Sequence, residues 1–219
     1  MKKVIVTGAS GMVGEGVLME CLENAAISEV LVIGRRSCKH THPKLTEILI
    51  PDFFDLAPLN GRLSGYDACY FCLGVSSLGM KEPEYYRLTY TLTLGFAQKL
   101  VTESPDAVFC YVSGAGTDST ENGRLMWARV KGKTENDLMK LPFKAVFAFR
   151  PGFMKATKGQ KNLPKFYNLV NWLYPALKAI IPNMISTLKQ VGEAMIRVTL
   201  APEASHAVEV PEIKALAAE

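Results

Sequence analysis

The stretch that decides the fold is Met1-Lys-Lys-Val-Ile-Val-Thr-Gly-Ala-Ser-Gly-Met-Val-Gly-Glu-Gly16, at the start of a sequence of 219 residues. Its β-branched run, Val4-Ile-Val6, predicts a short strand, and an amphipathic segment with helical spacing follows at 11–24. Glycines at positions 8, 11 and 14 lie between the two. A strand, a glycine turn and a helix start in this order are typical of a backbone that holds a pyrophosphate.

Each glycine has a physical role in such a loop. Gly8 permits the tight turn, Gly11 lets the main chain approach the phosphates without a Cβ in the way, and Gly14 lets the helix pack closely on the strand. The N–H groups and the positive dipole end of the helix then face the anion. The alternative is a glycine-rich turn without a ligand. The cofactor contacts predicted here are Gly8, Ser10, Gly11, Met12, Val13 and Gly14.

The composition fits one globular domain with a sizeable core, because 48% of the residues are hydrophobic and 21% are charged. The net charge is +4, but the lysines are scattered, which argues against a nucleic-acid partner. Only a few apolar residues separate Lys2-Lys3 from the glycine loop, which is shorter than the hydrophobic region typical of a signal peptide. We therefore expect a cytoplasmic protein.

The cysteines and histidines predict no metal site. Cys69 and Cys72 have a CxxC spacing, but residues three apart in a strand point to opposite faces, and no second such pair accompanies them. The cysteine count is five, an odd number, and reduced thiols in apolar runs behave as small hydrophobes. His40 and His42 fall in a polar loop, where we expect them to be solvated.

Strand-like and helix-like segments alternate along the chain, which is typical of a parallel sheet covered on both faces. The predicted strands are 4–6, 29–33, 45–50, 67–73, 107–112, 144–149 and 208–210. The predicted helices are 11–24, 84–102, 122–140, 188–200 and a short one from Pro211. The sequence therefore predicts an α/β fold: a Rossmann-type, doubly wound parallel sheet of about seven strands, with a small, mostly helical C-terminal cap.

The end of the second predicted strand favours NADP over NAD. A carboxylate there would accept hydrogen bonds from a ribose 2′-OH, but the chain has Arg35 and Arg36, about twenty residues past the last glycine. Guanidinium groups match the geometry of a 2′-phosphate. The alternative is an ordinary solvated loop. Asp55, after the third strand, is expected to accept from the adenine amino group, and Asp52 is the second choice.

The other strand ends extend the predicted cofactor site, because ligands of open parallel sheets bind beyond the carboxyl ends of the strands. Gly74, after the central strand, gives the backbone room near the ribose and pyrophosphate. The further predicted contacts are Cys72, Leu73, Gly74, Val75, Pro151, Gly152 and Phe153. We accordingly expect an NADP-binding part at 1–153, and a substrate-side part at 154–219 packed into the same domain.

Three motifs add to the glycine loop: Cys72-Leu-Gly74, Trp127-Ala-Arg-Val-Lys-Gly-Lys-Thr-Glu135 and Phe149-Arg-Pro-Gly152. With them the chain resembles the short-chain dehydrogenase/reductase (SDR) superfamily, in particular its atypical, extended-type, NAD-dependent epimerase/dehydratase-like branch. The resemblance covers most of 1–153. It implies an NADP(H)-binding protein and an oxidoreductase or epimerase-like activity on an unknown carbonyl or hydroxyl compound.

The resemblance also implies the catalytic residues. SDR enzymes use a serine and a Tyr-x-x-x-Lys helix, in which the tyrosine exchanges a proton with the substrate while the lysine lowers its pKa and holds the nicotinamide ribose. Ser113 and Lys131 match the serine and the lysine, but Trp127 stands four residues before Lys131. An indole N–H does not ionise usefully, so it cannot replace a phenol. The alternative is a non-catalytic NADP(H)-sensing scaffold or regulatory binding protein.

Other tyrosines are candidate proton donors. Tyr85, Tyr86 and Tyr90 belong to the preceding predicted helix, and Tyr111 is close in sequence to Ser113. Packing is the alternative role for each of them. A literal Tyr-x-x-x-Lys occurs at 174–178, but about 0.6 such matches are expected by chance in a chain of this composition, and a proline at 175 interrupts that turn. We discount it.

The C-terminal third corresponds to the substrate side of extended SDRs. Its apolar residues suggest a pocket lining or lid, contact with a membrane surface, or ordinary packing against the sheet. They are Phe166, Leu169, Val170, Leu173, Leu177, Ile180 and Ile181. Charged and polar residues and prolines interrupt the stretch, so it predicts no transmembrane span. The expected partners are an unknown small-molecule substrate and possibly a second protein; the chain is a monomer or a homodimer.

Overall fold

The computed structural model describes residues 1–163, 174 and 180–218. The strands in this part of the chain are β1 (Lys2–Thr7), β2 (Ile27–Gly34), β3 (Leu45–Leu49), β4 (Ala68–Phe71), β5 (Val108–Val112), β6 (Ala145–Arg150), β7 (Phe153–Lys155), β8 (Ile185–Thr187) and β9 (His206–Glu209). The α-helices are α1 (Met12–Glu23), α2 (Glu82–Tyr86), α3 (Leu92–Glu103), α4 (Met126–Leu138), α5 (Leu188–Leu200) and α6 (Val210–Leu216).

The main sheet has seven strands in the order β3-β2-β1-β4-β5-β6-β9, and every neighbouring pair is parallel. The predicted fold is therefore confirmed. From β1 the chain runs outward to β2 and then to β3 on one side. It then returns to form β4 on the other side of β1. This reversal opens a crevice at the carboxyl ends of β1, β2 and β4, the place where open α/β sheets bind ligands.

Side chains that alternate along the strands form two hydrophobic cores, one on each face of the sheet. Val4 and Val6 belong to the core that includes α1 and α5, whereas Ile5 belongs to the core that includes α3. All three side chains are 0% exposed. A strand with apolar residues on both faces must be covered on both sides, which fits the place of β1 in the interior of the sheet.

The helix predicted at 84–102 differs from the structure in one respect. It is divided into α2, a π-helical turn at Arg87–Thr91 and α3. A π turn widens the helix locally and shifts the faces on which later side chains lie, a change that an unbroken four-residue apolar repeat cannot reveal.

The C-terminal part adds a small parallel sheet, β7 paired with β8, which the sequence did not predict. Strands of three residues carry too little pattern to be recognised. The helix predicted at 188–200 is confirmed as α5, and it begins with a capping box between Thr187 and Gln190. The predicted last strand is β9 at the sheet edge, and the predicted terminal helix is α6. Among the described residues, no helix combines the length and the apolar character needed to cross a bilayer.

Candidate functional site

A pocket of about 170 Å³ lies at the carboxyl ends of β1, β2 and β4. It brings together three of the loops that the sequence singled out. The residues that line it are Gly8, Ser10, Gly11, Gly34, Arg35, Arg36, Cys72, Leu73 and Gly74. The structure therefore places the two arginines beside the glycine loop.

Gly8 and Gly14 fix the shape of that loop. Gly8 has a φ of +71°, in the left-handed region, and a Cβ built on it would lie 2.7 Å from the carbonyl oxygen of Cys72. A Cβ at Gly14 would lie 2.3 Å from the carbonyl oxygen of Gly8. Because neither position has room for a side chain, the loop packs directly against the end of β4 and against the start of α1.

The first turn of α1 faces the pocket without a side-chain cap. Gly11 is its N-cap residue and has no side chain that could accept from the first N–H groups of the helix, so these groups are available to an anion. Gly11 also has an extended backbone, and the nearest atom to a Cβ built there is 3.4 Å away. This cradle of backbone N–H groups and glycines without side chains fits the phosphates of a dinucleotide.

Glu15, in the same turn, is a residue whose role the sequence analysis missed. Its carboxylate is 0% exposed and accepts hydrogen bonds from the backbone N–H groups of Lys161 and Asn162, at 2.8–3.1 Å. Burial acts to raise the pKa of Glu15, but these N–H groups and His40 hold it below its ordinary value. His40 Nε2 lies 3.0 Å from Glu15 Oε1, so the expectation that His40 is merely solvated was wrong. The buried carboxylate provided a partner that no local pattern indicated.

The two aspartates weighed for the adenine contact bind their own turns. Asp55 Oδ1 accepts from the N–H of Ala57 at 3.1 Å, and Asp52 Oδ1 accepts from the N–H of Phe54 at 2.9 Å. Both aspartates are exposed, and neither lines the pocket.

Ser113 directly follows β5, and the side chain of Lys131, in α4, reaches the carboxyl end of the same strand. The Ser113 hydroxyl is 3.0 Å from Thr117 Oγ1, which itself donates to the carbonyl of Gly114 at 2.8 Å, so Ser113 is the donor to Thr117. Lys131 Nζ donates to the carbonyl of Val112 at 3.3 Å. Burial lowers the pKa of Lys131 to about 8, although the charge of Glu135 opposes this shift.

Trp127, in the first turn of α4, covers the turn that follows Ser113. Its Cζ3 lies 3.9 Å from the Cβ position of Gly114, and its Cη2 lies 3.6 Å from that of Gly116. The indole therefore occupies space next to the predicted catalytic serine, with no phenol at this position of the helix.

The candidate proton-donor tyrosines are either buried in the core or packed at Asp137 of α4. Tyr85 and Tyr111 are each only 1% exposed, and burial raises the pKa of both. Tyr90 donates to Asp137 Oδ2 at 2.8 Å, and the Tyr86 ring packs on Tyr90 at 4.6 Å. Tyr111 does lie beside Lys131, with Nζ 5.3 Å from its ring centroid, but its hydroxyl is in the core.

Tyr86 and Tyr90 lie on the side of α4 that is opposite to Lys131. Asp137 forms an i,i+4 ion pair with Lys133, and Lys133 Nζ lies 5.1 Å from the ring centroid of Tyr90. Residues two apart are separated by about 200° around a helix, so Lys133 and Lys131 point in nearly opposite directions. The two tyrosines belong to the Lys133 side.

The loop after β6 is joined to the loop after β5. The N–H of Ser113 donates to the carbonyl of Phe149 at 2.7 Å, and the N–H of Ala115 donates to that of Pro151 at 3.1 Å. A Cβ at Gly152 would lie 2.2 Å from the carbonyl oxygen of Met184, so Gly152 permits the close approach of the C-terminal part. Phe153 follows with 49% of its surface exposed, and Val75, in the loop after β4, is half-buried.

Much of the predicted apolar substrate side lies outside the described residues. This applies to Phe166, Leu169, Val170, Leu173 and Leu177, and to the second residue of the discounted motif, Lys178. Of the two that are described, Ile180 is 76% exposed and Ile181 is half-buried. The five cysteines are unpaired, and no cluster of metal-binding side chains occurs in the described ranges.

The chain is similar in sequence to two proteins that carry a name. No model of a protein family matches the chain. It is similar to protein HTATIP2 from Rattus norvegicus, with 27% identity over 201 residues, which are 84% of this chain and 82% of that protein. It is also similar to "Protein fmp52, mitochondrial" from Emericella nidulans, with 27% identity over 168 residues, covering 74% of this chain and 71% of the relative.

A solved structure shares the fold over nearly the whole chain. It is a mutant of uronate dehydrogenase from Agrobacterium tumefaciens, complexed with NAD, with a TM-score of 0.66, 15% identity and coverage of 94% of this chain and 76% of that one. At this identity the likeness concerns the fold. The chain is therefore similar in sequence to the SDR-like protein HTATIP2 and to fmp52, and it shares its fold with structures of the NAD-dependent epimerase/dehydratase SDR family.

Proposed function

We propose that the chain binds NADP(H) and acts as an oxidoreductase or epimerase-like protein on a carbonyl or hydroxyl compound. The observation that carries this proposal is the pocket in which Arg35 and Arg36 lie beside the glycine loop and the uncapped start of α1. The pyrophosphate would bind the N–H groups of the loop, and the two guanidinium groups would bind the 2′-phosphate.

The remaining contacts follow from the order of the strands. We assign Cys72 to Val75 to the middle of the dinucleotide and Pro151 to Phe153 to its nicotinamide end, because they follow β4 and β6. Asp55 would accept from the adenine amino group, because its carboxylate keeps acceptor capacity beside the bond from the N–H of Ala57. Lys131, in α4, would hold the nicotinamide ribose with its Nζ, which lies at the end of β5.

A binding titration tests this assignment. Wild-type protein and the double variant Arg35→Ala, Arg36→Ala are titrated with NADP and with NAD. We expect tighter binding of NADP by the wild type and loss of that preference in the double variant, since each lost contact to a phosphate removes a charge-assisted hydrogen bond. Equal binding of NADP and NAD by the wild type, with no effect of the double change, would refute the assignment.

In a reduction, the chemistry that NADPH would supply when bound is a hydride for the carbonyl carbon. The protein must then orient the carbonyl oxygen and deliver a proton to it. The Ser113 hydroxyl, which lies at the end of β5, would orient that oxygen by turning its hydrogen from Thr117 to the substrate, while Thr117 keeps its own bond to the carbonyl of Gly114. Assays of NADPH oxidation against a panel of carbonyl compounds test for this activity, and complete inertness would contradict it.

A second function, a non-catalytic NADP(H)-sensing scaffold, is favoured by one specific observation. Trp127 covers the turn after Ser113, and an indole cannot exchange a proton with a substrate. This function predicts tight NADPH binding without turnover and no effect of Ser113→Ala on reactivity.

We also propose that the protein acts in the cytoplasm. The scattered charge and the apolar residues of the described part fit a compact α/β domain. The fungal relative carries the word mitochondrial in its name, so fractionation of cells into cytosol, membranes and organelles is the appropriate test.

A further inference from the structure

The loop that carries Arg35 and Arg36 is held by a carboxylate of the neighbouring strand. Glu47, in β3, accepts two hydrogen bonds from the residues that follow the arginines. Its Oε2 accepts from the Ser37 hydroxyl at 2.8 Å, and its Oε1 accepts from the N–H of Cys38 at 2.7 Å. Each oxygen of the carboxylate therefore binds the loop.

The loop is fixed at its other points as well. The carbonyl of Gly34 accepts from the N–H of Ile50 at 3.0 Å, and the N–H of Lys39 donates to Ser37 Oγ at 3.1 Å. The Cys38 side chain is 1% exposed, so it anchors the loop in the core. Lys39 then turns the chain with a φ of 58°. The backbone is thus held by hydrogen bonds or burial on both sides of the two arginines.

The position of Glu47 is set by its strand. It lies opposite Val32 in the parallel pairing of β2 with β3, and its side chain is half-buried. Burial acts to raise its pKa, but the bonds from Cys38 and Ser37, together with the charge of His40, keep the pKa below its ordinary value. The carboxylate is therefore ionised at neutral pH, and it accepts charge-assisted hydrogen bonds from the loop.

We infer that Glu47 is a positioning residue for selectivity between NADP and NAD. Glu47 presents Arg35 and Arg36 at the pocket in an ordered loop, so that binding of a 2′-phosphate does not have to order that loop. Preorganisation of this kind increases affinity by reducing the entropy lost on binding. NAD lacks the 2′-phosphate, so its affinity does not depend on the position of the arginines. The inference rests on the proposed NADP binding.

Direct titration of variants with NADP and with NAD tests this role. We expect Glu47→Gln to raise the Kd for NADP roughly fivefold to tenfold, as expected for a weakened hydrogen bond to a charged group, and to leave the Kd for NAD within about twofold. Ser37→Ala should act in the same direction with a smaller effect. Ser37→Thr keeps the hydroxyl and should restore the wild-type ratio.

Glu103→Gln is the matched control. Glu103 also binds a loop through both carboxylate oxygens, from the N–H groups of Gly61 at 3.2 Å and Leu63 at 2.9 Å, and it does not line the pocket. It should lose stability in urea to a similar degree as Glu47→Gln, while its ratio of NADP to NAD affinity remains that of the wild type.

The outcomes separate the inference from the function on which it rests. If the double arginine variant loses the NADP preference but Glu47→Gln keeps it, the positioning role is refuted and the cofactor assignment stands. Tighter NADP binding by Glu47→Gln would also refute the role, because the carboxylate would then act by repelling the phosphate. An equal loss of both cofactors would indicate a structural role only. Absence of any NADP preference in the wild type would refute both proposals.

Discussion

Arg150, at the end of β6, and Glu135, in α4, form a two-point ion pair beside the candidate site. Arg150 Nε lies 3.1 Å from Glu135 Oε1, and Nη2 lies 2.5 Å from Oε2. Their side chains are 12% and 1% exposed. Glu135 follows Lys131 by one helical turn, so the two lie on the same face of α4. Arg150 therefore binds the carboxylate that would otherwise attract the Lys131 ammonium most strongly.

The first prediction concerns the stability that this pair provides. Arg150→Met should lower the free energy of unfolding by about 3–5 kcal/mol, because it leaves a buried carboxylate without its partner. Adding Glu135→Leu should recover part of the loss. Urea unfolding monitored by circular dichroism measures both.

Lys189→Met is the control for this experiment. Lys189 and Glu193 are 3.6 Å apart, and the lysine side chain is 62% exposed. Its loss should cost no more than about 0.5 kcal/mol. An equally small cost for Arg150→Met would contradict the importance of the buried pair.

The second prediction concerns the titration of Lys131. Acetic anhydride labelling read by mass spectrometry should give a reactivity midpoint near its pKa of about 8. In the unfolded chain a lysine has a pKa of about 10.4, so between these values the unfolded state binds more protons. The contribution of Lys131 to stability therefore rises as the pH increases from about 8 to about 10.

Lys133 is the internal control on the opposite side of α4. Its bond to Asp137 raises its pKa, so it should remain protonated and unreactive at pH 8. Lys131→Met should remove the rise in stability above pH 8. Equal reactivity of the two lysines across the pH range would show that burial does not perturb Lys131.

The third prediction separates glycines that shape the loop from a glycine that leaves room for a ligand. Gly14→Ala should cost about 1–3 kcal/mol of stability and abolish NADP binding, because the new Cβ meets the carbonyl of Gly8. Gly74 has no atom within 4 Å of its Cβ position, and it lines the pocket. Gly74→Ala should change stability by no more than about 0.5 kcal/mol but weaken NADP binding. Unchanged NADP affinity in Gly74→Ala would mean that the cofactor does not pass this residue.

The fourth prediction concerns the missing phenol. Trp127→Tyr places a hydroxyl next to the turn after Ser113, four residues before Lys131. If the phenol is all that catalysis lacks, NADPH-dependent carbonyl reduction should rise by roughly 100-fold or more, the usual contribution of a general acid. Trp127→Phe removes the indole without adding an acid and should stay at the wild-type rate. Similar rates for the Tyr and Phe variants would show that the increase comes from space and not from proton transfer.

The alternation of strands and helices and the place of the glycine loop were predictable because both depend on local patterns. A β-branched strand, a glycine turn and an amphipathic helix are read from neighbouring residues, and parallel strands connected by helices have few permitted arrangements. For the same reason α5 was predicted with its correct bounds. The π turn before α3 and the short β7–β8 sheet were missed, because a single widened turn and strands of three residues leave no periodic signal.

The sequence by itself determined the strand, the glycine loop and the position of Arg35 and Arg36 after β2. The tertiary structure decided which side chains contact each other across the fold. Glu15 hydrogen-bonds His40 and the backbone at 161–162, and Glu47 hydrogen-bonds Ser37. Tyr90 hydrogen-bonds Asp137 and does not face Lys131. These contacts join residues from ten to nearly 150 positions apart. A local pattern reports the face on which a side chain lies, whereas its partner across the fold is set only when the layers pack.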